Sequence, residues 1–220
     1  MPHVSADRPP QQERSRRTHS RLLEATLKTL AEHGLDGATI PRIARVAGVS
    51  PATVYRRFVD KRGLLRAACL HMLERSNQAN REHLGEKLGQ GPLERAARML
   101  IGLMFMQHQQ QPKLIQAMEN FMGSDDDQVF VRAAHALVDD NLTLLIQAML
   151  THRAEITHPD PELAVRIATV TAATAIGTRA LRPRSIWRTL QPITDDALAG
   201  ELAREYVAYL QSTEPEPGRP

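Results

Sequence analysis

Hydrophobic positions along this chain recur at helical spacing, and no strand-like alternation lasts more than a few residues. Between them stand mostly Ala, Leu, Met, Gln, Glu and Arg, all good helix formers. Leu23, Leu27, Leu30 and Ala31 fall on one stripe. They predict a first helix from about Arg14 to His33, with Gly34 placed to end it as a left-handed residue. A short second helix follows, with Thr39 as its cap and Pro41 in the first turn, where a missing N–H costs nothing. It ends near Ala47–Gly48. A third opens with Ser50 as cap and Pro51 at the first helical position, and a fourth runs from Lys61 past Met72 to about Leu88.

Gly89–Pro92 breaks the pattern. Further helices are predicted at Pro92–Gln110, Pro112–Met122, Asp125–Ala154, Asp160–Leu181 and Asp195–Gln211, several with Pro or Asp at the start. The stretch Arg182–Thr194, with two prolines and Trp187, reads as a loop that packs its tryptophan. Residues 1–13 and 212–220 read as disordered tails. The expected fold class is therefore all-α, about nine helices in 220 residues.

Composition narrows the class. Hydrophobic residues make up 42% and charged residues 24%, as in a soluble globular protein. No apolar run approaches the ~20 residues of a membrane span, and the start lacks the apolar core of a secretory signal. A single cysteine, Cys69, rules out an intramolecular disulfide and a cysteine zinc cluster. The chain reads as cytoplasmic and reduced, with no membrane partner. Its net charge of +3 hides an asymmetry: residues 1–66 carry 13 Lys and Arg against 6 Asp and Glu, whereas residues 67–220 carry 15 against 19. A basic first third suits a polyanion, and a solvated arginine-rich helix would show the same balance.

The local pattern in residues 40–58, IPRIARVAGVSPATVYRRF, decides between these. Two short helices crossing steeply need a small residue at the contact, which Ala44 supplies, and a turn residue that tolerates positive φ, which Gly48 supplies. Ile43, Val49 and Val54 give the buried flanks. Ala44, Gly48 and Val54 are spaced as in a helix-turn-helix. Its second helix, basic and rich in hydroxyls, starts at Ser50–Thr53 with free N–H groups that suit a phosphate or a groove edge.

Residues 21–65 as a whole resemble the DNA-binding domain of the TetR family of regulators. The resemblance rests on RLLEAT at 21–26, the Gly34–Thr39 turn, IARVAGVS at 43–50, ATVYRRF at 52–58 and Lys61–Gly63–Leu64–Leu65. Ile40 and Ala52 depart from the residues common in the family, a second Thr and a Gly. The resemblance implies a helix-turn-helix domain over residues 14–66 and a larger helical effector-binding and dimerisation domain over 67–211. It makes the third helix the recognition helix. Pro51 and Ala52 then offer apolar contact to thymine methyls, and Arg56 reaches a guanine edge. Thr53, Tyr55, Arg57 and Lys61 hold phosphates, with Ser50 and Thr39 beside them. Arg42 and Arg45 on the second helix approach the groove edge. Arg14, Arg16 and Arg17 form a basic arm or a solvated helix end. Val54 and Phe58 are core.

By the same resemblance the protein is a homodimer on a double-stranded DNA operator, most simply a repressor released by a small apolar or amphipathic effector. Helix four links the two regions and is the natural lever. The alternative is a DNA-binding regulator with no effector. Dimerisation falls to the last two helices, where Ala164, Ala168, Ala172, Ala173, Ala175 and Gly177 allow close approach. Leu163, Ile167, Val170, Ile176, Leu198, Leu202, Tyr206, Tyr209 and Leu210 add bulk there. An intramolecular core stripe would look the same. The effector falls to the Met-rich middle, about 92–150, with Leu103, Met106, Phe121 and Met122 as lining. Asp139, Asp140 and Asn141 read as solvated surface, the alternative being one carboxylate turned inward to pair with a cationic ligand. His108, His135, His152 and His158 lack metal-ligand spacing, so neither metal nor cofactor is expected. No GxSxG, P-loop, HExxH or dinucleotide glycine motif occurs, and no enzyme is expected.

Overall fold

The computed structural model of the chain describes residues 11–181 and 193–213. Trp187 and the tails before residue 11 and after residue 213 lie outside these. Every regular element among the described residues is helical. The chain divides into two compact units, residues 1–72 and 73–220.

In the first unit, α1 (Gln11–Gly37) carries its apolar stripe inward on Leu22, Leu23, Leu27 and Leu30. Two threonines, Thr26 and Thr29, share that buried face. Their hydroxyls donate to the carbonyls of Leu22 and Ala25 at 2.7 and 2.6 Å, so neither is left unsatisfied. Gly34 breaks the helix with φ 67° and ψ −172°, a region only glycine enters freely. The expected stop therefore becomes a sharp bend, and one more turn carries the chain to Gly37. Helices α2 (Ile40–Ala47) and α3 (Pro51–Tyr55) follow, and α4 (Lys61–Leu88) begins in this unit. Ile43, Ala44, Val54 and Phe58 are buried, as their spacing required.

The second unit is built from the rest of α4 with α5 (Leu93–Gln110), α6 (Pro112–Ser124), α7 (Gln128–Leu150), α8 (Pro161–Leu181) and α9 (Asp195–Leu210). Helix α5 packs on α8 and α9, while α6 and α7 also pack on α8. Helix α7 is shorter than its sequence pattern predicts. The Asp125 carboxylate turns back to accept the N–H of Asp127 at 2.9 Å, and Asp127 becomes the cap, accepting from Val129 and Phe130. At the other end the helix stops at Leu150, before a single 3-10 turn at Arg153–Glu155.

The small-residue stripe of α8 is divided. Ala164, Ala168, Ala172 and Ile176 are buried in this chain's own core, together with Leu202, Tyr206 and Leu210 of α9. Ile167 and Val170 stay exposed, at 39% and 45%. The Tyr206 hydroxyl meets Thr169 Oγ1 at 2.8 Å, and burial pushes its pKa up to about 12.

Candidate nucleic-acid interface

The turn between α2 and α3 has the geometry its residues imply. Gly48 adopts φ 63° and ψ 41°, the left-handed conformation that closes α2. Its N–H and that of Val49 return to the carbonyls of Arg45 and Ala44. Ser50 caps α3 by accepting from the backbone N–H of Thr53 at 3.3 Å. Thr39 sits at the cap position of α2 in extended conformation, but its hydroxyl makes no cap bond.

Exposure separates the eleven DNA-facing candidates into two sets. Thr39, Arg45, Ser50, Pro51, Ala52, Tyr55 and Arg56 are exposed, Tyr55 at 59%. Arg42, Thr53, Arg57 and Lys61 are half-buried, and each is engaged within the unit. The Arg42 guanidinium donates to the Gly37 carbonyl at 2.5 Å, and the Lys61 ammonium to the Leu35 carbonyl at 3.2 Å. Both carbonyls belong to the turn where α1 ends and has no further helical N–H to offer. Thr53 Oγ1 lies 3.0 Å from Ser50 Oγ and accepts from Arg56 Nη2 at 3.2 Å. Arg57 reaches across to Ser15 Oγ on α1 at 3.1 Å. The exposed face is thus compact: the start of α3, the guanidinium of Arg56 and the ring of Tyr55, with Arg45 on α2.

Three participants escaped the sequence reading. Arg21 on α1 donates to the carbonyls of Ala47 and Gly48, placing a cation on the C-terminal end of α2. Val46 is 40% exposed on α2 next to Arg45. His19 stacks on Phe58, ring centroids 5.3 Å apart, and burial with the nearby Arg57 and His71 charges lowers its pKa below the usual histidine value. His71 in turn lies 2.9 Å from the Glu24 carboxylate. Only the exposed valine was legible as an element position; the others depend on contacts far along the chain. Arg14, Arg16 and Arg17 are exposed on α1, with Arg17 donating to Glu13.

Residues 22–68 match the family model described as bacterial regulatory proteins, tetR family. Residues 22–68 thus form a domain of the TetR family. Relatives include the HTH-type transcriptional regulator BetI of Pseudomonas aeruginosa, 43% identical over 63 residues, 29% of this chain and 32% of that protein. BetI of Escherichia coli is 40% identical over 83 residues, 37% of this chain and 41% of that protein. The match thus spans less than half the length of these curated relatives. Among solved structures, the transcriptional regulator FadR from Bacillus subtilis in complex with stearoyl-CoA superposes with a TM-score of 0.60 at 16% identity, covering 89% of this chain and 99% of that one. A TetR-family transcriptional regulator from Streptomyces coelicolor gives 0.60 at 22% identity, over 87% of this chain and 81% of that one. At these identities the likeness is one of fold, and it extends over both units.

The four residues expected to line an effector pocket differ in their exposure. Phe121 is buried and meets Phe130 at 5.6 Å. Leu103 is half-buried against the core of α5, α8 and α9, and Met122 is half-buried on α6. Met106 is the correction: it stands 45% exposed, because the buried stripe of α5 runs through Ala97, Ile101 and Phe105 and leaves position 106 outside. Asp139 and Asp140 are exposed, Asp140 lying 3.9 Å from Arg81. Among the described residues no three His, Cys, Asp or Glu gather as metal ligands, and no helix is long and apolar enough to cross a membrane. Cys69 is fully buried, and burial pushes its thiol up to about 12, far from a reactive thiolate.

Proposed function

We propose that the chain is a transcriptional regulator that reads double-stranded DNA as a homodimer, with α3 entering the major groove and a small molecule controlling its release. The observation that carries the DNA reading is the exposed row at the start of α3. Ser50, Pro51, Ala52, Tyr55 and Arg56 stand in solvent on a helix whose buried Val54 anchors it to the unit behind. Pro51 and Ala52 offer methyl and methylene contact to thymine, and Arg56 offers a bidentate donor to guanine. Tyr55 and Thr39 supply hydroxyls to phosphates, with Arg45 at the groove edge. The balance of +7 over residues 1–66 adds a sequence-independent attraction.

Effector control is supported by the likeness of fold to FadR, which was solved with stearoyl-CoA. Helix α4 runs unbroken from Lys61 to Leu88 and contributes residues to both units. A ligand that favours one position of α4 shifts the population of DNA-competent dimers.

Selection of bound fragments from random double-stranded DNA tests the DNA reading. The expected product is a palindrome whose half-sites are centred about one helical turn apart, or a multiple of it. Recovery of unenriched sequence at every salt concentration overturns it.

A further inference from the structure

Asn77 lies on α4 within the second unit and is 1% exposed. Its side-chain Nδ2 donates to the Leu137 carbonyl on α7 at 2.8 Å. That bond fixes the orientation of the amide, because reversing it would set two oxygens against each other. Oδ1 is then an acceptor with no donor. It is the one buried side-chain oxygen or nitrogen among the described residues that lacks a partner.

One turn further on, Asn80 Nδ2 donates to Asn141 Oδ1 at 2.6 Å. Two amides of α4 thus face α7 where apolar side chains would pack more simply. The Asn80 amide is matched, and the Asn77 amide is half matched. A buried carbonyl oxygen left unpaired is costly, and native proteins satisfy nearly all of them. A trapped water needs about two to four polar partners. No second orphaned side-chain atom exists among the described residues to help hold one.

We infer that Asn77 Oδ1 is the polar anchor of the effector site, accepting a hydrogen bond from a neutral hydroxyl or amide N–H carried on an apolar body. This rests on the effector reading above and names the ligand class for it. The anchor lies on α4, so a ligand that completes the amide acts directly on the helix shared by both units. An acceptor-only head group finds no partner there.

The test uses the full chain and three small probes: butan-1-ol, hexan-1-ol and octan-1-ol, each against its methyl ether. The ether keeps the apolar body and oxygen but cannot donate. Titration calorimetry should show the alcohol preferred over its ether by about tenfold in Kd, the worth of one buried hydrogen bond. Asn77→Leu removes the orphan and should abolish the preference. Equal binding of alcohol and ether overturns the anchor, as does a preference that survives in Asn77→Leu. Uptake of none of the alcohols shows a buried water only and also overturns it. Operator affinity is measured in parallel on the selected DNA. DNA binding with no alcohol uptake removes the anchor and leaves the regulator. Donor-selective uptake with unchanged operator affinity supports the anchor and removes effector control.

Discussion

At Gly37 an added Cβ would lie 2.6 Å from the Cβ of His33 and 3.3 Å from Arg42 Nη1, so the backbone there is closely covered. What covers it is half of a double clamp: Arg42 on the Gly37 carbonyl and Lys61 on the Leu35 carbonyl. An ammonium engaged this way in the free protein stabilises the turn with one of its three N–H donors. Lys61→Met should therefore lower stability by about 1 kcal/mol, the net worth of one hydrogen bond. The slope of log Kd against log salt should stay unchanged; a lysine that neutralised a phosphate would take about 0.9 from it. Tyr55 is the opposite case. It is exposed, so Tyr55→Ala should leave the melting curve in place and weaken operator binding about 10- to 100-fold, the loss of one hydrogen bond to a charged group. A gel shift with unchanged affinity rejects its role. His19 gives a pH signature. Its folded pKa lies below the ordinary 6.5, mainly through burial and then through Arg57 and His71. Below 6.5 the unfolded chain takes up a proton that the folded chain resists. Stability of the first unit should therefore fall as pH drops from 6.5 toward the lowered value, and His19→Gln should remove that component in urea titrations at successive pH values.

The short helices of the first unit depend on their ends, since eight and five residues cannot hold a helix by length. Ser50 holds the start of α3 through the Thr53 N–H, and Gly48 ends α2 at φ 63°. Ser50→Ala should cost about 1 kcal/mol. Gly48→Ala should cost about 1–2 kcal/mol for the left-handed backbone, and its Cβ would stand 3.1 Å from Arg21 Nη2. Chemical denaturation checks both, and equal stability of Gly48→Ala and parent contradicts the turn assignment. These same ends explain what was legible in the sequence. Pro41, Gly48 and Ser50–Pro51 act on their own neighbours, so the bounds of α2 and α3 could be read locally. Helix α7 was misread because three consecutive aspartates offer three caps, and only the fold determines that Asp125 bonds to Asp127 while Asp127 caps. Arg57 and Ser15 lie 42 residues apart, and Arg21 and Ala47 lie 26 apart, so neither pairing has a local signal. Met106 was misplaced for a different reason. Methionine content was read as lining, although the period of α5 already sets position 106 opposite its buried stripe.

At the scale of the whole molecule, the proposed dimer needs a surface that holds two recognition helices to one operator. A single helix-turn-helix makes too few contacts for tight binding, and a two-fold dimer reading two half-sites supplies the rest. In α8, positions 163, 167, 170 and 174 form one outward stripe. Leu163 is half-buried, Ile167 and Val170 are exposed at 39% and 45%, and Thr174 is exposed. The buried alanines one face around belong to this chain's own core, so a dimer contact made through α8 would use the outer stripe rather than the inner one. Val170→Glu tests this without touching the fold, because the side chain already stands in solvent in the single chain. Within a dimer the new carboxylate would lose its water, and association would be disfavoured. Sedimentation equilibrium should show a monomer with an unchanged helical spectrum. Operator affinity should fall by about 100-fold or more, since two half-sites bound as one unit gain that factor through effective concentration. A variant that sediments as a dimer at parental affinity moves the interface off this stripe. A variant that is monomeric yet binds the full operator at parental affinity would mean that each chain reads DNA alone.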